Sequence, residues 1–163
     1  MLQEKIAQIF TGVALPNMMS LSTINVADFY ACHGIIFRLT GNTGGAQKIS
    51  IVTPAYTAIC RVALSSIIFD GAVSMSLYEA GSAVTGGSTA TPKNAERNGT
   101  YTNLVTCKTG VTYANDGTLL DTGAANNFKS PSLNLWYLKA STQYVITFDG
   151  STNYSIQWAE VPA

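Results

Sequence analysis

From Asn25 to the C-terminus the chain repeats one texture: short runs rich in Val, Ile, Thr, Tyr and Phe, each closed by Gly, Asn, Asp or Ser. β-Branched and aromatic side chains lose rotamer freedom in a helix and pack well on a pleated surface, so such runs read as strands. They lie at 29–39, 47–53, 57–69, 72–79, 101–107, 117–121, 133–138, 143–148 and 153–159. Turn chemistry separates them at Gly41-Asn42-Thr43-Gly44-Gly45, Asp70-Gly71, Asn115-Asp116-Gly117 and Asp149-Gly150. Val73, Met75 and Leu77 alternate with Ser74 and Ser76; Tyr144, Ile146 and Phe148 alternate with Val145 and Thr147. A period of two gives a strand one buried face and one face open to water or a partner. No helical period follows residue 25, so the expectation is an all-β, two-sheet antiparallel sandwich of jelly-roll type. The last two runs are expected to pair as a hairpin across Asp149-Gly150-Ser151-Thr152.

The first residues differ. Leu2, Ile6, Ile9, Phe10 and Val13 fall at i, i+4, i+7, i+8 and i+11, one face of a helix, and Pro16 ends the pattern. Residues 1–24 are therefore expected to form a short helix or an arm, and 25–163 the sandwich domain. A helix would cover one end of the domain. An arm would lay its apolar stripe in a partner's groove. No run of 18 apolar residues occurs, so no membrane helix is expected. Lys5 follows Glu4, and Gln8, Thr11 and Gly12 interrupt the apolar run, so the start does not read as a signal peptide.

A single domain of 163 residues buries roughly 68–70% of its unfolded surface, enough for a core without metal or disulfide. Cys32, Cys60 and Cys107 are odd in number and widely spaced, with a single histidine in the chain, which fits neither a disulfide framework nor a zinc site. They read as small buried hydrophobes. Lys+Arg and Asp+Glu number nine each, 11% of the chain together, where about 25% is usual. Ser, Thr, Asn and Gly supply 58 of the residues, so the surface is expected to be neutral and polar. Few cations means little counterion release from a phosphate backbone, which argues against nucleic acid as a partner. A surface without net charge is also poorly protected from association.

Candidates for chemistry are thin. Cys32 and His33 are adjacent in a strand and point to opposite faces, so they make no thiolate–imidazole pair. Asp70, Asp116 and Asp149 sit beside glycine in turns, and Asp28, Glu79, Glu96, Asp121 and Glu160 show no pairing of the kind glycoside hydrolysis needs. Asn115-Asp116-Gly117 lacks the alternating ligands of a calcium loop. No enzyme and no cofactor is expected. Trp136, Tyr137, Tyr144, Tyr154 and Trp158 cluster near the end of the chain, where they either fill the core or form a sugar-stacking platform.

The least strand-like long stretch, 77–98, reads as a loop between two halves of the domain, with Gly86-Gly87 as loop glycines. In it, Tyr78-Glu79 leads through Val84-Thr85-Gly86-Gly87-Ser88 to Thr91-Pro92-Lys93-Asn94 and Arg97-Asn98. Farther on come Asp116-Gly117-Thr118-Leu119-Leu120, then Leu138-Lys139-Ala140-Ser141-Thr142-Gln143-Tyr144, then Ser155-Ile156-Gln157-Trp158. In this order and spacing the pieces resemble tailed-bacteriophage capsid decoration, or cement, proteins of jelly-roll-like fold. Ala140-Ser141 departs from the Pro-Asn of that pattern. The resemblance spans residues 60–160 and implies a structural virion protein that binds the outside of an assembled capsid and bridges its capsomers. Its implied partners are the major capsid protein and further copies of itself, as a dimer or trimer, with no direct nucleic acid and no membrane. The candidate contact residues are Leu2, Ile6, Ile9, Phe10 and Val13 of the arm, with Asn94, Arg97 and Asn98 of the 77–98 stretch. The alternative is a carbohydrate-binding or receptor-binding β-sandwich module.

Overall fold

The computed structural model describes residues 35–57, 59–79, 84–125 and 136–162, and all regular structure among them is β. The strands are β1 (Ile36–Thr43), β2 (Gln47–Val52), β3 (Ile59–Phe69), β4 (Val73–Glu79), β5 (Val84–Ala90), β6 (Lys93–Asn94), β7 (Thr106–Tyr113), β8 (Thr118–Ala125), β9 (Trp136–Leu138), β10 (Gln143–Phe148) and β11 (Thr152–Pro162). They form a five-stranded sheet, β6-β1-β11-β3-β9, and a six-stranded sheet, β5-β7-β2-β10-β4-β8. Every pairing is antiparallel. With β5, β6 and β7 set aside, β1-β11-β3-β9 faces β2-β10-β4-β8. That is the eight-strand, double Greek-key order of a jelly roll.

Among the described residues no two consecutive strands are neighbours in a sheet, which corrects the expected closing hairpin. β10 pairs with β2 and β4, whereas β11 pairs with β1 and β3 in the opposite sheet. The link between them is an arch. Thr43 Oγ1 donates to the Gly150 carbonyl (2.9 Å) and accepts the Thr152 amide (2.9 Å). Asp149 Oδ1 accepts the Ser74 amide at 2.7 Å. The β3–β4 turn is tied to the same arch: Asp70 Oδ1 accepts the Asn153 amide at 2.7 Å, and Thr152 Oγ1 donates to the Asp70 carbonyl at 2.6 Å. The Asn153 side-chain amide, which donates to Asp70 Oδ2 at 3.0 Å, and then its backbone N–H hold the Asp70 carboxyl below the usual aspartate value. Side chains that reach across to the other sheet's turn make an arch stable where a two-residue turn would have made a hairpin.

The inward residues follow the alternation of the sequence. Leu77, Ile146, Ile156, Ile67 and Ile49 are fully buried between the sheets. Phe148 stacks on Tyr154 at 5.5 Å between ring centres, and Phe37 meets Trp158 at 6.3 Å. Cys107 lies in this core as expected, and burial pushes its thiol up to about 12. One face departs from expectation. Val145 points away from the core yet is wholly buried, packed with Val111, Tyr113 and Tyr78. The β5–β7 ribbon accounts for this: Gly86, Gly87 and Gly110 all have left-handed backbone, with φ of 67°, 76° and 68°. Beyond them the ribbon bends so that Val111 and Tyr113 cover the outer face of the six-stranded sheet. A Cβ on Gly87 would lie 2.7 Å from the Thr109 carbonyl, so only glycine fits there, and the Gly-Gly pair lies within a strand in unbroken register with β7 and not in the loop expected from its composition.

The turn between β9 and β10 contains a non-glycine residue with left-handed backbone, Ser141 at φ 48°. Asn populates that region more readily than Ser, because its short amide bonds to the local backbone. Ser141→Asn is therefore expected to recover part of the roughly 1–3 kcal/mol that a non-glycine residue costs in this region, read as a higher urea midpoint at constant m-value. A lower midpoint would count against the strain.

Candidate functional site

The stretch 84–113 is an excursion added to the jelly roll between its fourth and fifth strands, and it closes one side of the sandwich. β5 lies at the edge of the six-stranded sheet. The chain then crosses at Thr91-Pro92 to place β6 on β1 of the other sheet, and returns to the first sheet as β7. Asn94 opposes Phe37, and the Ala95 amide donates to the Ile36 carbonyl at 2.8 Å. The tip that follows is a tight turn. Asn94 Oδ1 accepts the Glu96 amide (2.9 Å), Asn94 Nδ2 donates to the Tyr101 carbonyl (3.4 Å), and the Gly99 amide donates to the Glu96 carbonyl (3.1 Å). A Cβ at position 99 would come within 2.8 Å of Asn94 Nδ2, which explains a glycine directly after Asn98.

Of the contact residues expected in this stretch, Asn94 is half-buried and serves the turn's own backbone. Arg97 and Asn98 stand exposed at its tip. Residues 85–89 of β5, two Thr, two Gly and a Ser, are exposed as well. The arm residues Leu2, Ile6, Ile9, Phe10 and Val13 lie outside the described residues, as do His33 and Cys32.

The return limb, 101–105, was expected to begin a strand and does not. Its Leu104 amide donates to both carboxylate oxygens of Glu160 (2.9 Å to Oε2, 3.1 Å to Oε1), and its Val105 amide donates to Oε1 at 3.1 Å. Trp158 Nε1 completes the set at 3.3 Å from Oε1. Glu160 is wholly buried. Burial raises its pKa above the ordinary glutamate value, partly opposed by the bonds from Leu104, Val105 and Trp158. A carboxylate only accepts, and its oxygens here receive three different N–H groups, so Glu160 staples the excursion to β11. The signal for it was in the sequence: Glu160 continues the inward parity of Tyr154, Ile156 and Trp158.

A second juxtaposition involves segments distant in the chain. Glu79, at the end of β4, accepts Lys139 Nζ at 2.5 Å and the Tyr144 hydroxyl at 3.1 Å. Tyr144 in turn accepts the Lys139 amide at 2.8 Å, and burial pushes its phenol up to about 12. Across the sheet, Tyr78 and Glu79 register with Leu119 and Thr118. Glu79-Tyr78, Thr118-Leu119 and Lys139–Tyr144 thus meet at one corner.

Two further carboxylates have structural partners, and Asp28 lies outside the described residues. Asp121 Oδ2 accepts Trp136 Nε1 at 3.3 Å, and Asp116 pairs with Lys48 at 2.5 Å. Among the described residues no three His, Cys, Asp or Glu side chains gather as a metal site would require, and no helix is long and apolar enough to cross a membrane. The aromatic cluster is mostly interior. Tyr144, Tyr154 and Trp158 are buried, Trp136 packs against the core, and only Tyr137 is exposed, with the Arg61 guanidinium 5.1 Å from its ring centre.

Compared with known proteins, the chain matches no family model, no curated protein and no solved structure.

Proposed function

We propose that this chain is a structural protein of a bacteriophage particle, a decoration subunit that binds the outside of an assembled capsid and stabilises it by bridging neighbouring capsomers. In this reading it carries out no chemistry, needs no cofactor, and meets the major capsid protein and other copies of itself. The observation that carries it is the corner around Glu79. The sequence pieces that resemble decoration proteins, Tyr78-Glu79, Thr118-Leu119 and Lys139 to Tyr144, are far apart in the chain and share one hydrogen-bonded corner of the fold. A jelly roll hosts viral capsid domains among other functions, so the fold is compatible with the role without deciding it. The excursion adds a weakly charged display surface: 85–89 on β5, and Arg97 with Asn98 at the turn. A subunit that binds only the assembled shell stabilises it by mass action, through many modest polar contacts. The sugar-platform alternative loses support, because most of the rings it needs face the core.

The test mixes purified protein with assembled phage shells that lack a decoration layer and follows co-sedimentation and the shells' thermal rupture. Saturable attachment and a higher rupture temperature are expected. Arg97→Ala combined with Asn98→Ala should weaken attachment about tenfold, about 1.4 kcal/mol, without moving the protein's own melting temperature. Removal of residues 1–24 should also weaken attachment and leave the sandwich folded. A chain that ignores shells and binds a glycan array would overturn the reading.

A further inference from the structure

The two sides of the sandwich are unlike. One is wrapped by the 84–113 excursion. On the other, β8 ends the six-stranded sheet and β9 ends the five-stranded sheet. We propose that this second side is a self-association surface, on which two copies pair antiparallel through β8 about a two-fold axis near Gly123.

A sheet edge presents unpaired N–H and C=O groups, and proteins that remain monomeric blunt such edges. Three of the four edges here are blunted. β6 has two residues and β9 three, and β5, though in continuous register with β7, is turned from regular strand geometry by the left-handed Gly86 and Gly87. β8 is eight residues long and, after an irregularity near Leu120, Asp121 to Ala125 pair in step with Leu77 to Val73. Its free side has no strand partner among the described residues.

The chemistry of β8 suits a second copy. Its single charge, Asp121, is engaged by the Thr122 amide (2.8 Å) and by Trp136 Nε1, so the Thr122 N–H exchanges Oδ1 for the partner's Ala124 carbonyl when the strands pair. Antiparallel pairing about Gly123 sets Thr122 of one copy opposite Ala124 of the other, with nothing bulky between the backbones. The two Asp121 residues are then four positions apart along the paired strands, about 13 Å at 3.3 Å per residue, beyond the screening length of about 8 Å at physiological salt. The chain's formal net charge is zero, so no long-range repulsion opposes the encounter. Among the described residues, two of the three exposed large apolar side chains flank this side: Leu119, 51% exposed on β8, and Tyr137, 59% exposed on β9 beside Arg61. Tyr and Arg are the residue types that dominate interface energetics. The same patch on both partners makes the contact isologous and closed, which yields a dimer and not a filament.

This deepens the self-association in the function proposed above and rests on that reading for its biological setting. Its test uses the free full-length protein. Sedimentation equilibrium from micromolar to submillimolar concentration is expected to show a monomer–dimer equilibrium. Thr122→Lys with Ala124→Lys, which sets like charges opposite one another, should raise the dissociation constant at least about tenfold with an unchanged circular dichroism spectrum and melting temperature. Ser88→Lys on the β5 edge should leave the equilibrium alone. A monomer throughout, a trimer, or a dimer disrupted by Ser88→Lys and not by the β8 lysines would each overturn the inference. Shell attachment is measured separately, so a monomer that still binds shells would overturn this inference alone.

Discussion

Replacing Glu160 by Ala is expected to lower the unfolding free energy by about 3–5 kcal/mol, among the larger losses a single change produces. The methyl group would leave the Leu104 and Val105 amides and the Trp158 indole N–H without their acceptor in a site closed to water. Each buried donor without a partner costs about 1–3 kcal/mol. Guanidinium unfolding followed by tryptophan fluorescence measures the loss, and a change below about 1 kcal/mol would show that water replaces the carboxylate. Glu160→Gln separates charge from shape. Its amide oxygen can take the Oε1 position, where all three donors converge, while its NH₂ faces the Leu104 amide. The pH dependence follows from the raised pKa. A carboxyl whose folded pKa lies above its unfolded value contributes stability that is complete below the unfolded value and is lost as pH rises through the folded one. Stability of the Gln variant relative to the parent should therefore improve as pH climbs from the ordinary glutamate pKa through the raised one, and should be flat above it. The opposite slope would mean that the three bonds outweigh desolvation.

Glu160 also shows where sequence reading reached its limit. Alternation located β2, β4, β10 and most of β3 and β11, because those strands each bury one face against a single core. It could not say which sheet a strand joins. β10 and β11 have the same inward pattern whether they form a hairpin or an arch, and the deciding contacts, Thr43 to Gly150 and Asp70 to Asn153, come from residues about 80 to 110 positions away. β5 carries no strand signal in its sequence, because Thr-Gly-Gly-Ser-Thr buries neither face and is held by β7 alone. The limb 101–105 resembled a strand because Tyr101 and Val105 do pack on the core. Yet its Leu104 and Val105 amides bond to a side chain and not to a ladder. At the candidate site, Arg97 and Asn98 were visible as exposed polar residues of a turn. Asn94 lies beside them in the sequence, but its amide serves the fold.

Trp158→Ala is expected to cost a further about 3–5 kcal/mol in the otherwise intact chain. The indole is one of the largest fully buried side chains and lies tilted against Phe37, where β11 sits between β1 and β3. Its removal opens a void at the centre of the five-stranded sheet and withdraws one donor from Glu160. The strands on either side belong to opposite ends of the chain: Phe37 of β1 registers with Trp158, more than a hundred residues later. The surrounding structure can therefore relax little without loosening the β1–β11 pairing that joins those ends. Trp158→Phe keeps most of the apolar volume and removes the N–H, so its smaller loss isolates the bond to Glu160. Because Trp158 and Glu160 share that bond, Trp158→Phe and Glu160→Gln should not add, with an interaction energy of about 0.5–3 kcal/mol in a double-mutant cycle. Additivity within about 0.3 kcal/mol would show that the indole acts by packing alone. Coupling would tie the staple on the 84–113 excursion to the core of the jelly roll. A core substitution would then alter how firmly the Arg97–Asn98 tip is held, and shell attachment would fall along with stability in the Trp158 variants.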